Sequence, residues 1–193
     1  MASVFMISVR TTVVTLLVTG VLYPLALTGL SQLLFSSRAN GSLVTDERGE
    51  VVGSELIGQA FAKPGYFQPR PSAAGAGYDA AASSGSNLGP TSAALRKRVE
   101  AEVVRLQQEN PAAPALVPVE LVTTSASGLD PHLSPEAALW QLPRVAAARG
   151  VEPERVRAVV ESQVEGRDLL VLGEPRVNVL MLNLALDRQF GRP

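Results

Sequence analysis

Residues 11–37 read TTVVTLLVTGVLYPLALTGLSQLLFSS and carry no charged side chain, with Arg10 bounding the run on one side and Arg38 on the other. An α-helix rises about 1.5 Å per residue, so roughly 20 apolar residues cross a hydrocarbon core about 30 Å thick. This run is long enough to do so with some tilt, and no later stretch is. The expected organisation is a short cytoplasmic tail (1–10), a transmembrane helix (11–37) and one water-soluble, extracytoplasmic domain (38–193). A cleaved signal peptide is the simplest alternative, since Ser37 and Ala39 give a small-x-small pattern. Its apolar core runs only about 7–15 residues, however, and this one is longer. A helix buried in a soluble core would normally keep a polar face.

Thr12, Thr15, Thr19 and Ala26 fall on one side of such a helix, with Tyr23 beside them. Lipid tails do not drive helices together, so contacting faces in membranes are enriched in small or hydroxylated residues. The face therefore reads either as a docking surface for a partner helix or as threonines whose hydroxyls bond their own backbone. Pro24 lacks a backbone donor and predicts a kink.

All 18 acidic residues and 15 of the 17 basic ones lie beyond Arg38, so the remainder of the chain is mildly acidic at −3. Nucleic-acid binding needs a concentrated basic patch and is not implied. With no cysteine among 193 residues, a disulfide framework, a thiolate metal site and a cysteine nucleophile are excluded. Charge constrains orientation weakly, with Arg10 on one flank and Arg38 and Arg48 on the other. A short N-terminal tail with little charge favours N-terminus in and domain out.

Beyond the anchor, Leu43-Val44 and Val51-Val52 flank Asp46-Glu47-Arg48-Gly49, the pattern of a small hairpin. Tyr66-Phe67 is a dense aromatic point in a chain with 5% aromatics and is expected to plug the core. Pro64, Pro69 and Pro71 forbid a long helix there, and Arg70 is read as a hydrogen-bonding fork to backbone carbonyls or, alternatively, an anion or partner contact. Residues 73–94 have linker composition, yet Tyr78, Asp79, Asn87 and Leu88 punctuate them, which favours an ordered surface loop. Ser92 or Thr91 caps a helix whose Leu95, Val99, Val103 and Leu106 form one stripe, stopped by Asn110-Pro111. Residues 117–121 (VPVEL) read as a strand. Ser134-Pro135-Glu136 starts a helix ending at Gly150, with Pro143 expected to bend or split it. Another helix starts near Pro153 with Val156, Val159 and Val160 inward; 168–172 reads as a strand; and the ambiguous VNVLMLNLALDRQF (177–190) is too long for a usual strand and reads as helix.

Catalytic constellations are sparse. His132 is the one histidine, with Asp130 and Glu136 nearby. A metal site of about four ligands lacks a second His or Cys to complete it. A Ser–His–Asp arrangement with Ser86 or Ser125 is formally available, but no G-x-S-x-G elbow is present. The architecture points to an accessory subunit; a membrane-anchored extracytoplasmic hydrolase or a small-ligand binding module is the alternative.

Six segments occur in one order: GSELIGQAF (53–61), YFQPRPSA (66–73), SSGSNLGP (83–90), TTSASGLDPHLSPEAA (123–138), QLPRVAAARG (141–150) and GEPRVNVLMLNLALD (173–187). With the N-terminal span, they closely resemble the C subunits of Kdp-type, ATP-driven potassium transporters over nearly the whole chain. The resemblance implies an α+β fold, with one membrane helix followed by a mixed α/β extracytoplasmic domain in a bacterial or archaeal membrane. It implies three partners: a potassium-channel-like subunit, a P-type ATPase subunit and a very small hydrophobic subunit. It also implies that the complex uses ATP and Mg while this chain holds no cofactor and no catalytic residue. In the family this subunit is described as needed for assembly and as a catalytic chaperone that raises the ATP affinity of the ATPase subunit. By the same resemblance, Tyr66, Phe67, Arg70, Ser86, Asn87, Asp130, His132, Arg176 and Asn178 are structural or contact positions.

Overall fold

The computed structural model describes residues 2–46 and 48–193, and the chain divides into two compact units, 1–43 and 44–193. Glu47 of the predicted hairpin turn lies outside the described residues.

The first unit is helical. α1 (Ala2–Leu17) passes through a π-helical turn (Val18–Leu22) into α2 (Tyr23–Leu34), and a short α3 (Ser36–Ala39) comes next. Helix therefore begins well before residue 11 and breaks at Phe35, whose φ is −139°. The irregularity expected at Pro24 takes the form of this π turn. Pro24 has no N–H to give, and its ring would crowd the carbonyl four residues earlier. Widening the preceding turn, with Tyr23 N–H donating to Val18 O, relieves that contact.

The second unit is α+β. β1 (Leu43–Thr45) and β2 (Val51–Ser54) form the predicted hairpin. At its turn, Asp46 Oδ1 accepts from Arg48 N and Glu50 N, and Gly49 takes φ +78°. A three-stranded antiparallel sheet has β5 (Arg176–Asn178) at its centre, between β3 (His132–Leu133) and β4 (Val164–Glu165). The register pairs His132 with Asn178, and Val177 with both Leu133 and Val164.

The helices are α4 (Ala93–Glu109), α5 (Pro135–Arg149), α6 (Pro153–Ser162) and α7 (Val179–Phe190). Their ends are set by side-chain chemistry. Ser92, Ser134 and Asn178 accept from the backbone N–H three residues on, and Gly150 closes α5 at φ +62°. The core gathers Phe67, Leu133, Trp140, Val145, Val156, Val160, Val177, Leu182 and Leu186. Fully burying one such side chain contributes about 1.5–3 kcal/mol.

Two strand expectations are corrected, and of the two outcomes expected at Pro143 the split does not occur: α5 runs through it as one helix. Burial of Leu142, Val145 and Ala146 on either side holds the two halves together, offsetting a cost of about 3 kcal/mol for an internal proline. Residues 117–121 are not a strand. Val119–Leu121 is a 3-10 turn, and Thr123 Oγ1 donates to Val119 O.

Residues 168–172 are not a strand either. They form the turn between β4 and β5, closed by paired bonds of 2.9 Å between Asp168 and Leu172, and only that isolated bridge is β-like. Leu169 and Leu170 sit at φ +52° and +68°. That region costs an L-residue with a Cβ roughly 1–2 kcal/mol.

Candidate subunit interface

The helix from Ser3 to Leu34 is long and apolar enough to cross a membrane, and its most apolar window has no residue buried within the chain. Val13, Val14, Leu16, Leu17, Leu25 and Leu30 are all exposed. Such a surface is stable where lipid or a partner covers it, and the helix satisfies its own backbone, as a membrane requires.

Thr11, Thr12, Thr15, Leu16 and Thr19 line a shallow groove along this helix. Thr19 Oγ1 donates to Thr15 O at 2.7 Å, so its hydroxyl is satisfied locally and the groove presents methyls and small hydroxyls. Tyr23 and Ala26 lie beyond the π turn. One extra residue in a turn rotates the helix beyond it by about 100°. The spacing that joined them to the threonines on a regular helix therefore does not carry through.

In the second unit, the segment 66–70 lacks regular secondary structure, yet its backbone is engaged by side chains. Asn183 Oδ1 accepts from Phe67 N, and Asn183 Nδ2 donates to Phe67 O, both at 2.9 Å. Gln141 repeats the pattern on Gln68, at 2.8 and 2.9 Å. Two amide side chains, from α7 and α5, thus act as a surrogate strand that seats the Phe67 ring in the core at 0% exposure.

Tyr66 Oη donates to Asp187 Oδ2 at 2.8 Å, and Arg149 stacks 5.1 Å over its ring. Burial, then the bond to Asp187, pushes the Tyr66 hydroxyl up. The Arg149 side chain, 2% exposed, pairs with Asp187 at 2.8 Å and donates to Gly65 O and Gly191 O. It ties the segment to the C-terminus.

Arg70 forks between one carboxylate and one backbone carbonyl, where backbone carbonyls alone were expected. Nη1 reaches Asp130 Oδ2 and Nη2 reaches Thr124 O, both at 3.3 Å. Tyr78 Oη donates to Arg70 O at 2.7 Å, and burial pushes that phenol up to about 12. Asp130 also accepts from His132 N at 3.0 Å and lies 3.5 Å from His132 Nδ1. Burial pushes the Asp130 carboxyl up, but His132 and Arg70 pull harder and leave it below its ordinary value. The Asp130 carboxylate, accepting from His132 N–H, thus closes the turn into β3. Among the described residues no hydrogen bond joins His132 to a serine hydroxyl, and no three His, Asp or Glu side chains are grouped to hold a metal.

Asn178, buried in β5, accepts from Met181 N and donates to Glu55 O at 2.8 Å. Arg176 bridges Glu165 at 3.0 Å and Asp168 at 3.3 Å, and these carboxylates, Asp168 foremost, raise its guanidinium. Ser86 is half-buried and Asn87 exposed at φ +51° in the loop 73–92. That loop is ordered by Ser84 N–H to Ser127 O and Ser72 Oγ–H to Gly128 O.

The structure therefore gathers Arg70, Asp130, His132 and Asn178 around β3 and β5, with Tyr66 and Phe67 against α7 and α5. Ser86 and Asn87 stand apart in the loop. Sequence reasoning missed Gln141, Asn183, Arg149 and Asp187. A polar residue falling on the buried stripe of a helix, as Gln141 and Asn183 do, is the signal that points to them.

Residues 5–188 match the KdpC family, described as "K+-transporting ATPase, c chain". The chain is 69% identical over 191 residues to the potassium-transporting ATPase KdpC subunit of Myxococcus xanthus, covering 99% of this chain and 90% of the relative. It is 57% identical to the protein of the same name from Methylobacterium nodulans over 188 residues, covering 91% and 92%. It is 56% identical to that of Caulobacter sp. strain K31 over 171 residues, covering 89% and 86%. A match that takes in the apolar helix and the folded unit alike shows that the chain belongs to the KdpC family of potassium-transporting ATPase subunits.

Proposed function

We propose that this chain is a non-catalytic, single-pass accessory subunit of an ATP-driven, high-affinity potassium-uptake complex, needed to assemble and stabilise it. The family match over residues 5–188 carries the reading. The exposed apolar helix supports the membrane part of it. Its partners are a potassium-channel-like subunit, a P-type ATPase subunit and a very small hydrophobic subunit. ATP and Mg belong to the ATPase subunit, and potassium is the cargo. The N-terminus lies in the cytoplasm and the folded unit outside it. Thr12, Thr15 and Thr19 dock on a partner helix through small and hydroxylated contacts, without Tyr23 and Ala26, which the π turn carries off that face.

A chaperone effect on ATP affinity, exerted from the outer side, has to travel through the helix and the partner subunits as a coupling free energy. The more direct role of a mildly acidic outer unit is at the entrance of the potassium pathway, where its field attracts cations. Glu100, Glu136, Glu152 and Glu161 are exposed and form no ion pair among the described residues. Replacing them by Gln is expected to raise the potassium concentration for half-maximal ATPase activity more than that of ATP. A larger change for ATP in the same transport-coupled assay contradicts the entrance role. Undiminished potassium-stimulated ATPase activity in a complex lacking this chain contradicts the accessory role itself.

A further inference from the structure

A recess of about 270 Å³ opens between the β1–β2 turn and the C-terminal end of α7, walled by Leu184 and by Asp46, Arg48, Asp187, Arg188 and Arg192. Both of its carboxylates are engaged within the fold. Asp187 Oδ1 accepts from Arg149 Nη2 and Oδ2 from Tyr66 Oη, each at 2.8 Å. Asp46 Oδ1 accepts from Arg48 N and Glu50 N, and Oδ2 accepts from Arg192 Nη2 at 3.0 Å. The guanidinium groups of Arg48 and Arg188 form no hydrogen bond or ion pair among the described residues, and Arg192 uses one of its donors. The wall is thus net positive by one charge among the described residues, with most of its N–H donors free. Arg188, in the last turn of α7, suits the negative end of the helix dipole. Arg48 comes from a different element, the hairpin turn, and has no such reason to line the same recess.

Converging guanidinium groups with free donors match the oxygens of a phosphate group, which they hold bidentately. The sign of the wall disfavours a cation, potassium included. Two features favour a phospholipid over a soluble phosphate. Eight residues, 35–42, link the end of α2 to β1, and four of them form α3. The hairpin therefore starts within roughly 25 Å of the end of the membrane helix, so headgroups lie within its reach. The surroundings are also partly aliphatic: Leu184 stands in the wall, and Val51, just past the turn, is 60% exposed. Arginine beside exposed aliphatic surface is the pattern that meets anionic headgroups.

We propose that the recess between the β1–β2 turn and the end of α7 binds the phosphate of an anionic phospholipid headgroup through Arg48, Arg188 and Arg192. This rests on the single-pass reading above. The test titrates the full-length chain in mild detergent with phosphatidylglycerol or phosphatidylcholine and counts retained lipid by native mass spectrometry. The wild-type chain should favour phosphatidylglycerol by about tenfold. Arg48→Gln combined with Arg188→Gln breaks no side-chain contact among the described residues, so it should unfold at the wild-type temperature yet lose that preference. Arg96→Gln combined with Lys97→Gln removes the same charge from the exposed face of α4 and should keep it. Equal retention of the two lipids by the wild type, an undiminished preference in the Arg48/Arg188 variant, or equal loss in both variants overturns the proposal. So does inorganic phosphate that raises the wild-type unfolding temperature as far as phosphatidylglycerol does, since the source is then soluble. If the Arg48/Arg188 variant unfolds early, a phosphatidylglycerol with a photoreactive headgroup decides: labelling of 48–51 or 184–192 supports the site, and labelling confined to 2–39 overturns it. If alkaline carbonate strips the wild-type chain from membranes, the single-pass reading fails and the headgroup site with it, a result distinct from loss of lipid preference alone.

Discussion

The helix from Ser3 to Leu34 and the segment 66–70 solve the same problem in opposite ways. Each must satisfy its backbone polar groups. The helix does so from its own nearby residues, so its side chains are free to be largely apolar and exposed. The segment 66–70 has no regular secondary structure and borrows partners far away in sequence: Asn183 for Phe67 and Gln141 for Gln68. One element answers to its solvent, the other to a handful of distant amides, and the two should fail under different perturbations.

The largest effect expected is on the helix. Val21→Asp places a charge near the middle of the span at about 2.5–3.5 kcal/mol. The chain should then lose membrane association in alkaline carbonate extraction; undiminished association contradicts a spanning role. In the folded unit, Phe67→Ala opens a cavity in a site with no exposure and should cost about 3–5 kcal/mol, read from denaturant unfolding in detergent. Asn183→Leu keeps the volume but orphans Phe67 N–H and C=O, for about 2–4 kcal/mol. Membrane extraction of this variant should be unchanged, and a parallel loss there would break the comparison.

Gly128→Ala probes how the loop 73–92 is held. Gly128 sits at φ +67°, and a Cβ there would lie 2.6 Å from Ser84 O and 2.7 Å from Ala74 N. A loss of about 1–3 kcal/mol is expected, with protease cleavage within the loop as its signature.

The same contrast explains how much could be read from the sequence. The apolar run, the Ser134-Pro135 and Gly150 boundaries of α5 and the Val156/Val159/Val160 stripe are local signals, and each appears in the structure. The α+β class was legible for that reason. The ends of the first helix and the π turn were not, because they depend on how Pro24 is accommodated rather than on hydrophobicity. Two-residue strands such as β3 and β4 leave no periodicity to detect. Leu169 to Leu172 look like a strand by composition, and only the backbone reveals two left-handed leucines facing solvent. At the site, Arg70 as a fork and Phe67 as a plug were legible from prolines and aromatics. Gln141 and Asn183 were not, since their partners lie 73 and 116 residues away.

The smallest expected effect concerns pH. The Asp130 carboxyl is held below its ordinary value of 3.8 by His132 and Arg70, against burial. A depressed carboxylate adds stability above its unfolded value, and that share is lost as the pH falls through the lower folded value. Asp130→Asn should therefore flatten the acid limb of the stability curve below about pH 4. An identical limb in the variant assigns the acid sensitivity to other carboxylates.

The most direct test of the central claim, that the chain is a helix-anchored accessory subunit, is purification of the tagged full-length protein from native membranes under potassium limitation. Mild detergent should preserve the complex, and mass spectrometry should identify the proteins that accompany the chain. A P-type ATPase and a large potassium-channel-like protein should be recovered with it in fixed proportion. Recovery of the chain alone, under conditions shown to keep another membrane complex intact, would contradict it.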